Sequence, residues 1–273
     1  MPTRVRAGAV MSLAGVSAIF IGIVAGCGIS GPGATSSLSP TPSPTAPTAT
    51  GPTNLVEASQ AGDLPAGDYY LDLPAYPARI DFAVPAGWWH YYDAGSREDS
   101  TVHAILVNSE DTGAANGSAW GLSFTVVDEV RVDPCDPSAG NMDTSVTESA
   151  EALAEAFSSW DDFPTTGVED VTLGGFPGKR VEMTRDESAT CQGTLFVTPS
   201  GFQFAMELPS SEPIVNQFTF LDVQGSILVI WTTDFPGTTL FEEAGGASPD
   251  PQAHVEDQGQ LHDILESVVI QPR

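Results

Sequence analysis

Hydrophobic positions arrive first as an unbroken run, then disappear, then return with two different periods. From Ala7 to Gly26 every residue is apolar or small and none is charged. From Ser30 to Thr53 there is no charge and almost no large apolar side chain. Beyond Asn54 the chain alternates. Ile80, Phe82 and Val84 point to one side of a strand over Ala78–Val84, and Gly67–Leu73 and Val102–Val107 have the same character. Ala119–Val127 reads as a further strand, with Val130 and Val132 continuing it toward Cys135. Two turn-punctuated pairs read as hairpins. One is Val168–Leu173 with Lys179–Thr184 around Gly174-Gly175-Phe176-Pro177-Gly178. The other is Phe218–Val223 with Ser226–Thr232 around Gly225. Thr194–Val197 and Phe202–Leu208 are joined by Pro199-Ser200-Gly201. In two places the period changes to helical. Over 145–159, Val146, Ala150, Leu153, Phe157 and Trp160 form one stripe, and Ser145 and Glu148 have capping-box spacing. Glu148, Glu151 and Glu155 fall on a different, solvated face. Over 251–266, Asp250-Pro251 opens a second helix, with Val255, Leu261, Ile264, Leu265 and Val268 on its apolar side. Val268–Ile270 leaves it as a short last strand. Many antiparallel strands with two main helices give the α+β class; the alternative is a β-sandwich with peripheral helices.

The first run carries Arg4 and Arg6 ahead of it and ends in Val24-Ala25-Gly26-Cys27. A short basic region, an apolar stretch and a small-residue site make an export signal. The last four residues resemble the bacterial lipobox. That resemblance implies cleavage before Cys27 and a diacylglycerol on its thiol, with palmitate-type acyl chains, so that Cys27 becomes the lipidated first residue. An uncleaved transmembrane helix is the alternative, since about 20 apolar residues span a bilayer. Either way the remaining chain is expected outside the cytoplasm, held at the cell membrane. Residues 28–54 then form a Ser/Thr/Pro-rich tether. Pro40, Pro42, Pro44 and Pro47 favour extended chain at about 3 Å per residue. Residues 55–273 are left as one globular domain, with no second linker and no repeat.

Charge narrows the partners. The 273-residue chain has 36 Asp+Glu against 9 Lys+Arg, a formal net charge of −27. No acid precedes Glu57, and Arg4 and Arg6 leave with the signal. Seven bases therefore face all 36 acids in the exported part. Phosphate binding needs Lys and Arg to displace counterions, so nucleic acid is excluded as a partner. Electrostatic docking to anionic lipid is excluded on the same ground. The membrane is reached through the N-terminal lipid, with the acidic domain repelled from the surface behind it. Removing Cys27 from the count leaves Cys135 and Cys191, which in an oxidising compartment are expected to pair. Neither lies in a Cys-x-x-Cys motif, and Asp133 and Asp136 beside Cys135 oppose a reactive thiolate.

The stretch Phe82-Ala83-Val84-Pro85-Ala86-Gly87-Trp88 resembles the strand and Pro-x-Gly-Trp opening of the PsbP-like fold. The 145–159 helix, the hairpin Val171–Val181 and the ending Leu261–Ile270 follow in the same order. The tether and lipobox also resemble lipoproteins of high-GC Gram-positive bacteria. The PsbP-like resemblance implies an α+β domain of a mostly non-enzymatic, accessory or binding kind. It assigns no functional residue, and the Asp133-Pro134-Cys135 loop and second cysteine are additions to the pattern.

Candidate chemistry is sparse. His90, His103, His254 and His262 are scattered and make no zinc ligand set. Asp133, Asp136, Asn141 and Asp143 crowd one loop that does not follow the EF-hand pattern, so calcium is left open there. Gly174–Arg180 fails the phosphate-loop spacing, but Lys179 and Arg180 offer a small basic surface for an anion or for neighbouring carboxylates. No G-x-S-x-G occurs in the exported part. The run Trp88-Trp89-His90-Tyr91-Tyr92 is the strongest lead. Trp88, His90 and Tyr92 share one strand face, and Trp89 and Tyr91 the other, where they are candidates for a glycan- or peptide-binding surface. No cofactor and no metal is expected. The expected function is a non-catalytic accessory or ligand-binding lipoprotein. A hydrolase of envelope polymers and a structural partner of a membrane complex are the alternatives.

Overall fold

Along the central strands, consecutive apolar residues belong to two different cores. Leu228 and Ile230 pack with Leu122, Phe124, Leu221 and Val223. Ile227 and Val229 pack with Val181, Met183, Phe218 and Phe220. Side chains alternate across a strand, so the two cores lie on opposite faces of one sheet. That is why Ile227-Leu228-Val229-Ile230-Trp231 is continuously apolar: a strand covered on both sides needs no polar positions.

The computed structural model describes residues 51–58, 63–92, 101–107, 120–185, 191, 193–206, 213–234 and 251–273. All belong to one unit spanning Ala49–Arg273. In chain order the elements are β1 (Thr53–Asn54), α1 (Leu55–Ala58), β2 (Asp63–Leu64), β3 (Gly67–Leu71), β4 (Ala78–Val84), β5 (Trp88–Tyr92), β6 (Val102–Val107), β7 (Trp120–Thr125) and β8 (Glu129–Val130). Short 3-10 turns over Pro137–Ala139 and Thr144–Glu148 precede α2 (Ala150–Phe157). Then come β9 (Thr165–Leu173), β10 (Phe176–Arg185), β11 (Gly193–Val197), β12 (Gln203–Met206), β13 (Ile214–Val223), β14 (Ser226–Asp234), α3 (Pro251–Ser267) and β15 (Val269–Pro272). The class is α+β with mostly antiparallel sheets. The central sheet has the order β2-β5-β6-β7-β14-β13-β10-β9. A second sheet, β1-β3-β4-β15, and α3 cover one face, where Phe82 stacks on Phe124 with centroids 5.0 Å apart. A third, β12-β11-β8, and α2 cover the other. There Phe157 sits at the centre of a ring cluster, 4.9 Å from Trp160 and 5.0 Å from both Phe218 and Phe220.

Several elements differ from the sequence reading, each for a local reason. The single 145–159 helix is interrupted at Ser149, which is extended (φ −144, ψ 149) and whose hydroxyl accepts the Ala152 amide. Asp143 caps the preceding 3-10 turn through the Ser145 amide. Short oxygen-bearing side chains compete in this way with the helix for its free amides, so the caps are Asp143 and Ser149 rather than Ser145. Val130 does not extend β7; with Glu129 it pairs with β11 in the third sheet. The first hairpin turn is only Gly174-Gly175, since Leu173 pairs Phe176. Pro177 is already in the strand, where β10 pairs only with β9; a residue without an N–H is tolerated there. Among the described residues no helix is long and apolar enough to cross a membrane. The Ala7–Gly26 run, Cys27 and the tether up to residue 50 lie outside the described residues.

The β13–β14 connection contains one unusual residue. Val223 pairs with Ser226, leaving Gln224 and Gly225 at φ 56 and 82. A two-residue turn of this kind favours Asn-Gly, because Asn tolerates the left-handed region better than Gln. Gln224→Asn is expected to stabilise the fold by about 1 kcal/mol. A urea midpoint raised at constant slope would show it; an unchanged midpoint would mean the turn carries no such cost.

Candidate functional site

Tyr76 anchors one wall of a surface cleft. It follows β3 in the loop Pro74–Pro77, is 2% exposed, and its hydroxyl donates to the Phe124 carbonyl at 2.7 Å. The loop is thereby pinned to β7. Beside it opens a cleft of about 440 Å³. Its other walls are Val126 and Val127 past the end of β7, Thr147 and Glu148 from the 3-10 turn, Pro199, and Gly225–Ile227 at the β13–β14 turn. Layers from both faces of the central sheet meet here, at the ends of its strands. A hydroxyl chain holds the Pro199 wall in place. Thr125 Oγ1 donates to the Thr101 carbonyl (3.0 Å), Thr101 Oγ1 meets Ser200 Oγ (2.7 Å), and Ser200 Oγ meets Thr198 Oγ1 (2.9 Å). The volume lies within the ordinary range of small-molecule sites, about 300–1,000 Å³. Sequence reasoning missed this cleft, because it is assembled from five segments joined only by the topology.

The aromatic run forms β5. Trp88 is 1% exposed and its indole N–H donates to Gln260 Oε1 of α3 at 2.8 Å. His90 is fully buried on the same face. That face is core, under the second sheet and α3. The side chains of Trp89, Tyr91 and Tyr92 lie outside the described residues. A feature not legible in the sequence is a histidine pair. β5 and β6 align Tyr92 with His103 and His90 with Ile105. His90 and His103 are therefore diagonal neighbours, and both are fully buried. His90 Nε2 lies 3.0 Å from His103 Nδ1, and the Tyr76 ring meets His103 edge-on. Two imidazoles joined this way share a single proton across the contact. On α3, His262 Nε2 meets Glu266 Oε1 at 3.1 Å on an exposed face, and the His254 side chain lies outside the described residues.

Lys179 and Arg180 lie on β10 opposite Asp170 and Glu169 of β9. Lys179 Nζ is 2.8 Å from Asp170 and 3.8 Å from Glu151 of α2. Arg180 meets Glu169 at 2.6 Å. The hydrogen bond to Asp170 holds the Lys179 ammonium above its usual pKa. Both bases thus face acids of their own sheet and helix, in exposed pairs worth little to stability.

Cys135 and Cys191 form a disulfide with their Cα atoms 5.6 Å apart. Arg185, 1% exposed, donates to the Cys191 carbonyl and, at 3.4 Å, to that of Asp162, with its guanidinium 4.3 Å above the Phe163 ring. The acidic loop uses its oxygens internally. Asp133 accepts the Cys135 amide (2.8 Å). Asp136 accepts the Ser138 hydroxyl and amide, and Asp143 accepts the Ser145 amide. These bonds hold the Asp136 and Asp143 carboxyls below the usual range. Asn141 accepts from Arg131 at 2.7 Å. Among the described residues one trio, Asp133, Cys135 and Asp162, places potential ligand atoms close together. The Cys135 sulfur is in the disulfide, which leaves two carboxylates.

No family model matches the chain, and no curated protein matches it in sequence. Among solved structures it is similar to LpqN, described as involved in cell envelope biogenesis of Mycobacterium tuberculosis. The identity is 12%, the TM-score 0.33, and the likeness covers 78% of this chain and 91% of that one. It is also similar to the Ran-binding protein Mog1p of Saccharomyces cerevisiae, at 11% identity and TM-score 0.31, over 76% of this chain and 96% of that one. The α+β class rests on this chain's own strands and helices.

Proposed function

We propose that the chain is a membrane-anchored extracytoplasmic lipoprotein whose domain, residues 55–273, binds a ligand in the Tyr76 cleft without transforming it. The anchor is a lipid on Cys27. What supports it is the order of features at the N-terminus: a basic start, an apolar run, Val24-Ala25-Gly26-Cys27, then an uncharged Pro-rich tether. Two acyl chains contribute about 0.8 kcal/mol per buried CH₂, enough for stable attachment. The disulfide fits an oxidising compartment. The observation that carries the binding reading is the cleft itself. Its walls are held by hydrogen bonds from outside it, so its shape is set before any ligand arrives. The lining is mixed, with polar atoms outweighing apolar ones and one carboxylate among them, which suits recognition.

Cys27→Ala is the test of the anchor. Labelling with a palmitate analogue is expected to be lost, and the protein is expected to leave the membrane fraction or remain as unprocessed precursor. Labelling that persists in the variant would overturn the lipid assignment.

A further inference from the structure

The cleft has a chemical bias that deepens the binding reading and rests on it: its lining is poor in free side-chain hydrogen-bond donors. Pro74, Pro77 and Pro199 have no N–H. The Tyr76 hydroxyl directs its proton to Phe124, and the Thr147 hydroxyl directs its own to the Thr144 carbonyl at 2.9 Å. The Gly225 amide is held by Asp222 Oδ1 at 2.8 Å. Ser226 alone keeps an uncommitted side-chain donor among the described wall residues. Acceptors remain: the hydroxyl lone pairs, proline carbonyls and, at the rim, the exposed Glu148 carboxylate.

Glu148 is also without a cation among the described residues, because the described bases are engaged elsewhere. Arg79 pairs with Asp81, Arg273 with Asp72, Arg180 with Glu169, and Lys179 with Asp170 and Glu151. Arg131 donates to Asn141, and Arg185 to backbone carbonyls. Arg97 lies outside the described residues. With 36 acids against seven bases beyond the signal, the field at any concave surface concentrates cations and repels anions.

We infer that the cleft takes a small organic cation: an amine or guanidine on an apolar body, with its charge at Glu148 and its body against Val126, Pro199 and Ile227. A cation supplies the donors that the walls lack and the charge that Glu148 lacks.

The test uses benzylamine, benzyl alcohol and benzoate, which share one body and differ in charge. Each is titrated into the full-length protein while the methyl resonances of Val126, Val127 and Ile227 are followed, with the buried Ile80 methyls as an internal control. Benzylamine is expected to shift the cleft methyls saturably and at least fivefold more tightly than the alcohol, with benzoate weakest. Glu148→Gln is expected to reduce the amine to the affinity of the alcohol without moving the melting temperature. Benzoate binding as tightly as the amine, or an amine preference that survives Glu148→Gln, would overturn the cation inference and leave the cleft a binding site. If none of the three moves the cleft methyls, the binding reading fails along with it.

Discussion

Gly178→Ala is expected to be among the most damaging single-methyl changes this chain can suffer. Gly178 lies on β10, paired to Val171 of β9 on one side and Leu221 of β13 on the other. A Cβ there would stand 2.2 Å from the Phe220 carbonyl oxygen and 2.8 Å from Leu221 Cδ2. The obstacle is backbone, and β10 is held between two neighbours, so neither side can withdraw without breaking pairing. Overpacking a sheet interior in this way costs about 3 kcal/mol or more. For a domain of this size that lowers Tm by about 10 °C. The contrast is Gly175, whose φ is +88 but whose Cβ would meet nothing within 4 Å. Gly175→Ala carries only dihedral strain, about 1–2 kcal/mol. Thermal melts of the two variants decide the matter. A Gly178→Ala melt within about 2 °C of the parent, or one milder than Gly175→Ala, would show that the sheet opens at this point more easily than its pairing implies.

The same residue shows what can be read from the chain and what cannot. In sequence, Gly174-Gly175-Phe176-Pro177-Gly178 looks like one long turn because glycine and proline are turn formers. Only the first two glycines turn, while Gly178 makes room for another strand. Composition identifies a glycine but not which neighbour requires it. Elements with local causes were legible. The alternation of Ile80, Phe82 and Val84 gives β4 to the residue, and Pro251 opens α3. Counting cysteines beyond Cys27 gives the disulfide. The break at Ser149 was hidden because the apolar stripe continues across it while the hydroxyl captures a backbone amide. The His90–His103 contact and the Tyr76 cleft were hidden for a different reason. Each depends on strand register or on segments far apart in sequence, and neither leaves a local pattern. Of the candidate surface residues, Lys179 and Arg180 lie in cross-strand pairs with Asp170 and Glu169. The Trp89 and Tyr91 side chains lie outside the described residues.

Removing the disulfide, by Cys135→Ala with Cys191→Ala, is expected to cost about 4 kcal/mol, the chain-entropy value for closing a loop of this length. The bridge spans 56 residues, so the reduced unfolded chain gains much freedom. In the fold, the two cysteines pack against the core beneath α2 and the third sheet. Arg185 is hydrogen-bonded to the Cys191 carbonyl and reaches over Phe163 in that same core. The loss should therefore be uneven. The whole domain loses midpoint in urea, but amide exchange should rise first in α2, β8, β11 and β12, while β3, β4 and α3 keep their protection until global unfolding. The opposite core is separated from the bridge by the central sheet, whose inner strands β13 and β14 send side chains into both cores and are expected to open last. Equal acceleration on both faces would mean that the sheet does not insulate one core from the other. An unchanged urea midpoint with and without reductant would mean that the bridge adds nothing to stability, and the restraint on the 133–143 loop would then have to come from its own Asp133, Asp136 and Asp143 hydrogen bonds.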